Sequence, residues 1–242
     1  MPDHHAYDRA FYLDQAAGSA RSASVVVPLL RELLPIRSVC DVGCGVGTWL
    51  RCWLELGVTD VLGIDGDHVA KDQLLIPAGN FLPADLRQPL PSVRRFDLAM
   101  SLEVAEHLPP ARAESFIADL ASLAPIVLFS AAIPGQGGTE HVNERWQSYW
   151  ASLFERNGFV TADVLRPRIW HDARIEYWYR QNILLFCQPD AVGTAPSAMP
   201  LEVVHPEHLA AVYQRTPSIR EALKLLGQAV RRRLSACSAP LR

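Results

Sequence analysis

The stretch SVCDVGCGVGTWL, residues 38–50, limits the possible folds more than any other part of the chain. An apolar strand pattern carrying one acid, Asp41, runs into glycines at 43, 45 and 47, and a helical pattern begins at Trp49. Without Cβ atoms, such a turn can curl through left-handed backbone and bring its amides against a ligand. A strand that passes through a bare turn into a helix is the unit of an open α/β sheet, whose ligands lie beyond the carboxyl ends of the strands.

The remaining hydrophobic periodicity fits that architecture. Strands are expected at 38–43, 60–65, 80–84, 96–102, 126–133, 160–166 and 181–188. Helical patterns fall between them. Trp49, Leu50, Trp53 and Leu54 share a face, and Gly57 sits where a helix ends. Pro109 and Pro110 suit the start of a helix carrying Phe116, Ile117 and Leu120. Trp146, Tyr149, Trp150, Leu153 and Phe154 form another stripe, closed by Gly158. Residues 19–34 read as a helix kinked at Pro28, and His68 opens a helix after the second strand. No helix is expected between the last two strands, so they should pair antiparallel. The fold class is therefore α/β, a Rossmann-like seven-stranded sheet, mostly parallel with an antiparallel edge strand and covered on both faces. Residues 1–37 read as a helical lid, 38–189 as the catalytic domain, and 190–242 as a Pro/Gly/Ala/Ser-rich linker with a helical extension. The extension's Leu223, Leu226 and Val230 accompany Arg231–Arg233, a solvated face or a homodimer contact.

Composition narrows the partners. A net charge of −3 gives no general attraction to nucleic acid or to an anionic membrane. Five cysteines (Cys40, Cys44, Cys52, Cys187, Cys237) without a C-x-x-C pair read as reduced thiols of a cytoplasmic protein. The polar, acidic start lacks the pattern of a secretory leader, and no apolar run reaches membrane-spanning length. The expected partner is a small-molecule acceptor.

Three ligand classes use a turn of this kind. A nucleoside triphosphate needs a lysine, and this turn has none. A dinucleotide wants a glycine or alanine at the sixth position of its motif, and Thr48 stands there. S-adenosylmethionine carries no phosphate and brings a cationic amino group that Asp41 is placed to help hold, unless Asp41 instead pins the loop. Asp65, ending the second strand in GIDGD, can accept from both ribose hydroxyls, and Asp85 in PADL can reach an adenine edge.

These residues resemble the motifs of the class I S-adenosylmethionine-dependent methyltransferases. VCDVGCGVGTWL is similar to their first motif, LGIDGD to the second, PADL to the third and FDLAMSLEVAEHLPP to the fourth, in order over residues 20–188. The resemblance implies a seven-stranded class I methyltransferase sheet with S-adenosyl-L-methionine held by Asp41, Gly43, Cys44, Gly45, Asp65, Gly66, Asp85, Leu86 and Leu102.

Methylating a hydroxyl requires a base or a metal, because an alcohol is a poor nucleophile near neutral pH. In SLEVAEHLPP, helical spacing would put Glu103, Glu106 and His107 on one face, and His141 follows in PGQGGTEHVNERW after the fifth strand. Two carboxylates and two imidazoles suit Mg2+ or Mn2+. This E-x-x-E-H with a later histidine resembles the small-RNA 2′-O-methyltransferases and, in part, the quinone-biosynthesis O-methyltransferases. The acidic balance argues against an RNA substrate. The alternative is metal-free methylation of an oxygen or a nitrogen, with Glu106 tying down a helix end and His107 or His141 as catalytic base. A cofactor-binding partner subunit without turnover is a further alternative. Asn143 and Glu144 either contact substrate or cap the next helix. The favoured acceptor is a hydroxyl of a sugar, glycan precursor or natural product. Acceptor specificity is expected from Tyr7, Phe11, Tyr12 and Arg21, and from RIWHDARIEYWYRQN. His4, His5, His205 and His208 read as surface residues.

Overall fold

Seven short apolar runs become seven strands: β1 Ser38–Val42, β2 Asp60–Asp65, β3 Phe81–Pro83, β4 Leu98–Leu102, β5 Ile126–Ser130, β6 Val160–Ala162 and β7 Leu184–Cys187. The computed structural model describes residues 9–191, 200–214 and 226. The strands form one sheet in the order β3-β2-β1-β4-β5-β7-β6. β1 pairs parallel with both β2 and β4, so the strand order reverses beside β1. The glycine turn leaves the sheet at this reversal, where a crevice opens between diverging crossovers. The antiparallel strand is β7, which lies between β5 and the outermost β6.

Alternation along the strands divides the core into two layers. Val39, Leu98, Met100, Leu128 and Leu185 face one way, under α1 (Arg9–Leu33) and α2 (Thr48–Glu55). Cys40, Val42, Ala99, Val127, Phe129 and Phe186 face the other, under α3 (Ala113–Leu123) and α4 (Gln147–Arg156). Most of these side chains are fully buried, each contributing about 1.5–3 kcal/mol relative to exposure. Gly57 and Gly158 end α2 and α4 at φ 84° and 80°, as their sequence positions predicted. The described cysteines, Cys40, Cys44, Cys52 and Cys187, are free thiols.

Three expectations are corrected. No α-helix follows β2; the segment makes single 3-10 turns at Lys71–Gln73 and Ala78–Asn80. Pro77 forbids a helix through it, and Val69 and Ile76, the buried residues of the segment, anchor it to the core from non-helical backbone. The connection from β6 to β7 contains two short helices, α5 (Arg166–Ile169) and α6 (Tyr177–Asn182). His205 and His208 are buried, each 4% exposed. Residues 200–208 fold back on the sheet domain. Buried Arg166 donates to the carbonyls of Leu201 (2.9 Å) and Pro200 (3.2 Å), and Arg180 pairs with Glu207 (2.7 Å). The His205 amide donates to Gln181 Oε1 (2.8 Å), and its Nε2 meets the Trp170 carbonyl (3.0 Å).

The chain divides into two compact units, 1–208 and 209–242. In the second, the described residues are 209–214, at the end of α7 (Pro206–Gln214), and Leu226. His4, His5, Tyr7, Leu223, Val230, Arg231–Arg233 and Cys237 lie outside the described residues, as do the side chains of Phe11 and Tyr12. No described helix is long and apolar enough to cross a membrane.

Arg166 and Asp163 form a buried pair at 2.7 Å, with both side chains 0% exposed. Arg166→Ala leaves a buried carboxylate without its cation and frees the 200–201 carbonyls. It is expected to cost about 3–5 kcal/mol, read as a lowered urea midpoint at unchanged slope.

Candidate active site

The site begins at the glycine turn. Gly43, Gly45 and Gly47 have φ of 84°, 53° and 87°, backbone that other residues rarely adopt. A Cβ on Gly43 would stand 2.3 Å from Val104, so β1 and the loop after β4 approach closely only because that atom is missing. A Cβ on Gly45 would meet nothing within 4 Å, so this glycine borders open space. Asp65 fixes the turn. Its Oδ2 accepts the Gly45 amide and its Oδ1 the Gly66 amide, both at 2.6 Å. Each carboxylate oxygen keeps a second lone-pair direction for another donor, such as a ribose hydroxyl.

Asp41 lies behind this turn, 2% exposed. Burial, and then the neighbouring Asp65 charge, push its carboxyl up to about 8. Such a group suits a cationic ligand, which would restore the charged form, and is a poor neighbour for a pyrophosphate. Cys44 is buried, with its thiol directed at the Gly45 carbonyl (3.4 Å). Leu102 is buried at the end of β4. Beyond β3, Asp85 is exposed and paired with Arg87 (2.8 Å), while the Leu86 carbonyl accepts from Arg112 (3.2 Å).

A second group of polar side chains gathers after β4 and β5. The structure does not form the expected helix over 103–107. Glu103 turns through left-handed backbone (φ 56°), and a 3-10 turn follows at Ala105–His107. Pro109 leaves too little chain for an α-helix. Left-handed backbone at a non-glycine residue costs about 1–3 kcal/mol and marks a constrained site. The turn gives the two carboxyls different partners while leaving them in hydrogen-bond contact with each other. Glu106, His107 and His141 bring ligand atoms within 4.8 Å of one another, the described group able to hold a metal ion. Glu103 is held beside them by Gln136 Nε2 (3.1 Å) and Asn182 Nδ2 (3.3 Å).

Electrostatics distinguish these residues. Burial raises the Glu103 carboxyl, and hydrogen bonds from Ser130, Asn182 and Gln136 restrain the rise. Glu106 is fully buried; burial and then the Glu103 charge hold its carboxyl well above the usual range. Its Oε1 accepts the Ala132 amide (3.1 Å), Oε2 receives no amide or hydroxyl hydrogen among the described residues, and the carboxyl itself hydrogen-bonds that of Glu103. His107 is exposed at its outer face, while the covered part of its ring and then His141 lower it to about 4, so its imidazole is neutral at pH 7. The rings of His107 and His141 meet edge to face, with centroids 4.8 Å apart. The loop closes against Glu106 through the Val142 and Asn143 amides, both 2.9 Å from its carbonyl.

Gln136, Gln181 and Asn182 lie within the two segments that the sequence singled out, but none was given a role of its own. Their buried amides interlink at 3.0–3.1 Å and join Glu103 to His205 through Gln181. The available signal was the polar run RQN directly before an apolar strand. Asn143 and Glu144 do not cap α4, which has no side-chain cap. The two segments expected to shape the acceptor pocket meet each other: Arg21 pairs with Glu176 (2.6 Å) and Ser19 with Tyr179 (3.1 Å).

A family model described as a methyltransferase domain matches residues 14–168, well over half of the chain. No curated protein matches in sequence. Among solved structures, magnesium protoporphyrin IX methyltransferase (ChlM) from Synechocystis PCC 6803 with bound SAM is 22% identical with a TM-score of 0.51, over 75% of this chain and 85% of that one. The methyltransferase domain of bacterial CtHen1-CN is 19% identical with a TM-score of 0.52, over 70% and 99%. An O-methyltransferase family protein from Burkholderia thailandensis is 16% identical with a TM-score of 0.55, over 78% and 62%. At these identities the likeness is one of fold.

Asp41 generates a prediction. The folded protein keeps a proton there up to about pH 8 that the unfolded chain loses above about 3.8. Its contribution to stability therefore falls as pH rises through that window and is most unfavourable above it. Asp41→Asn should raise Tm by on the order of 5 °C at pH 8 and by less at pH 5, in thermal scans of the ligand-free protein.

Proposed function

The chain belongs to the methyltransferase-domain family, and from that premise we propose that it transfers the methyl group of S-adenosylmethionine to an oxygen of a small molecule. The favoured acceptor is a hydroxyl of a sugar, glycan precursor or natural product, activated with a divalent cation, Mg2+ or Mn2+. The single observation that carries this reading is the convergence of Glu106, His107 and His141, whose ligand atoms all lie within 4.8 Å of one another. Two buried carboxyls in contact are costly when both are charged, and a cation shared with the neighbouring imidazole lone pairs would offset that cost.

The roles follow from the chain's own groups. The amides of the glycine turn and Asp65 would hold the donor's nucleoside end, and Asp41 its cationic portion. S-adenosylmethionine supplies an electrophilic methyl group on a sulfonium. Glu106, His107 and His141 would hold the cation, with Glu103 adding negative charge beside Glu106. A divalent cation there would supply Lewis acidity, lowering the acceptor hydroxyl's pKa. A neutral His107 has a ring lone pair available to a cation.

A second reading has one specific observation in its favour. His141 Nδ1 lies 3.0 Å from Glu144 Oε1, the arrangement of a base oriented by a carboxylate. A metal-free transfer with His141 as base would use it.

Calorimetric titration of Mn2+ into protein saturated with S-adenosylhomocysteine separates the two. The metal reading expects one binding site that disappears in His107→Ala while S-adenosylhomocysteine affinity stays within about twofold. Absence of Mn2+ binding to the unaltered protein would move the assignment to the His141 base.

A further inference from the structure

Glu144 collects three donors on one carboxylate. Its Oε2 accepts the Gly135 amide (2.8 Å), and its Oε1 accepts the Gly137 amide (2.7 Å) and faces His141 Nδ1 (3.0 Å). Both side chains are largely withdrawn from solvent, His141 12% and Glu144 20% exposed. A carboxylate oxygen can only accept, so the proton at this contact belongs to Nδ1. A neutral imidazole with Nδ1–H has its lone pair on Nε2. That nitrogen lies over Gly138, where an added Cβ would stand 2.3 Å from it. His107 is treated alike by backbone: it hydrogen-bonds the Glu140 carbonyl, and Glu140 takes left-handed backbone (φ 59°).

We infer that Glu144 is a positioning residue: it fixes His141 as the Nδ1–H tautomer and anchors the 135–137 turn, so that the Nε2 lone pair is the one offered to Glu106 and His107. The inference rests on the reading of His141 as an active-site residue, and it serves either chemistry proposed for that residue. A ring free to choose would divide between tautomers and orientations. The carboxylate removes that choice and makes Nε2 a stronger donor. The same three contacts tie the turn to the histidine, so loop geometry and ring orientation are set together.

The test reads the tautomer directly. Long-range 1H–15N spectra of metal-free protein, with His141 assigned against a His141→Gln variant, should show Nδ1–H. In Glu144→Ala, Nδ1 loses its acceptor and the signals should move toward the Nε2–H form. Mn2+ affinity, measured by titrating MnCl2 into protein saturated with S-adenosylhomocysteine, should fall by about 10–100-fold, with S-adenosylhomocysteine affinity unchanged. Glu144→Gln, whose amide oxygen can still accept from Nδ1, should keep the tautomer and lose less affinity. An Nε2–H spectrum in the unaltered protein overturns the inference, and so does a Glu144→Ala variant with unchanged tautomer and affinity. Should Glu144→Ala fail to fold, the unaltered protein and Glu144→Gln decide the matter. If the unaltered protein binds no Mn2+ while the tautomer responds to Glu144, the metal reading fails and the positioning role stands.

Discussion

The Asp65 carboxylate, accepting the Gly45 and Gly66 amides at 2.6 Å each, is the contact on which the site depends. It ties the turn after β1 to the end of β2, across the pair of strands that starts the parallel sheet. The left-handed glycine backbone lets β1 reach that carboxylate, and the missing Gly43 side chain admits Val104 from the loop after β4. The carboxyl ends of β1, β2 and β4 thereby share one crevice. The arrangement carries a penalty in the empty protein: Asp41 is buried next to Asp65 and drawn toward its neutral form. A cationic ligand relieves that penalty, so the geometry that destabilises the free protein favours the donor.

The two glutamates after β4 show how one short segment makes different environments for like groups. Left-handed backbone at Glu103 turns its carboxylate to the amides of Gln136 and Asn182. Glu106, three residues on, keeps one oxygen on the Ala132 amide and leaves the other among His107 and His141. The amides that hold Glu103 come from the loop after β5 and from α6, and Gln181 links them to the 200–208 segment. The catalytic side of the molecule is thus braced by residues far along the chain.

What the sequence made legible was periodic or bare. Apolar runs of the right length placed all seven strands, and glycines at 57 and 158 placed helix ends. The turn at 43–47 placed the crevice, because only a bare backbone fits such a bend. Features set by tertiary contacts were not legible. The helical spacing of Glu103, Glu106 and His107 suggested one face, but a six-residue gap before Pro109 favours a tight turn over a helix. His205 looked like a surface residue because its partners, Trp170, Arg180 and Gln181, lie more than twenty residues away, and His208 because the ring it meets, Tyr177, is equally remote in sequence. Glu144 read as a substrate contact or a helix cap because its donors in the fold, two glycine amides and His141, become neighbours only when the loop after β5 closes.

The central claim is that Glu106, His107 and His141 form a divalent-cation site beside the methyl donor. Its most direct test is a crystal of the S-adenosylhomocysteine complex grown with MnCl2, with anomalous difference density measured at the manganese edge. The account predicts one strong peak within about 2.5 Å of Glu106 Oε2 and of a ring nitrogen of each histidine. A crystal with S-adenosylhomocysteine bound and no anomalous peak among these residues would contradict it.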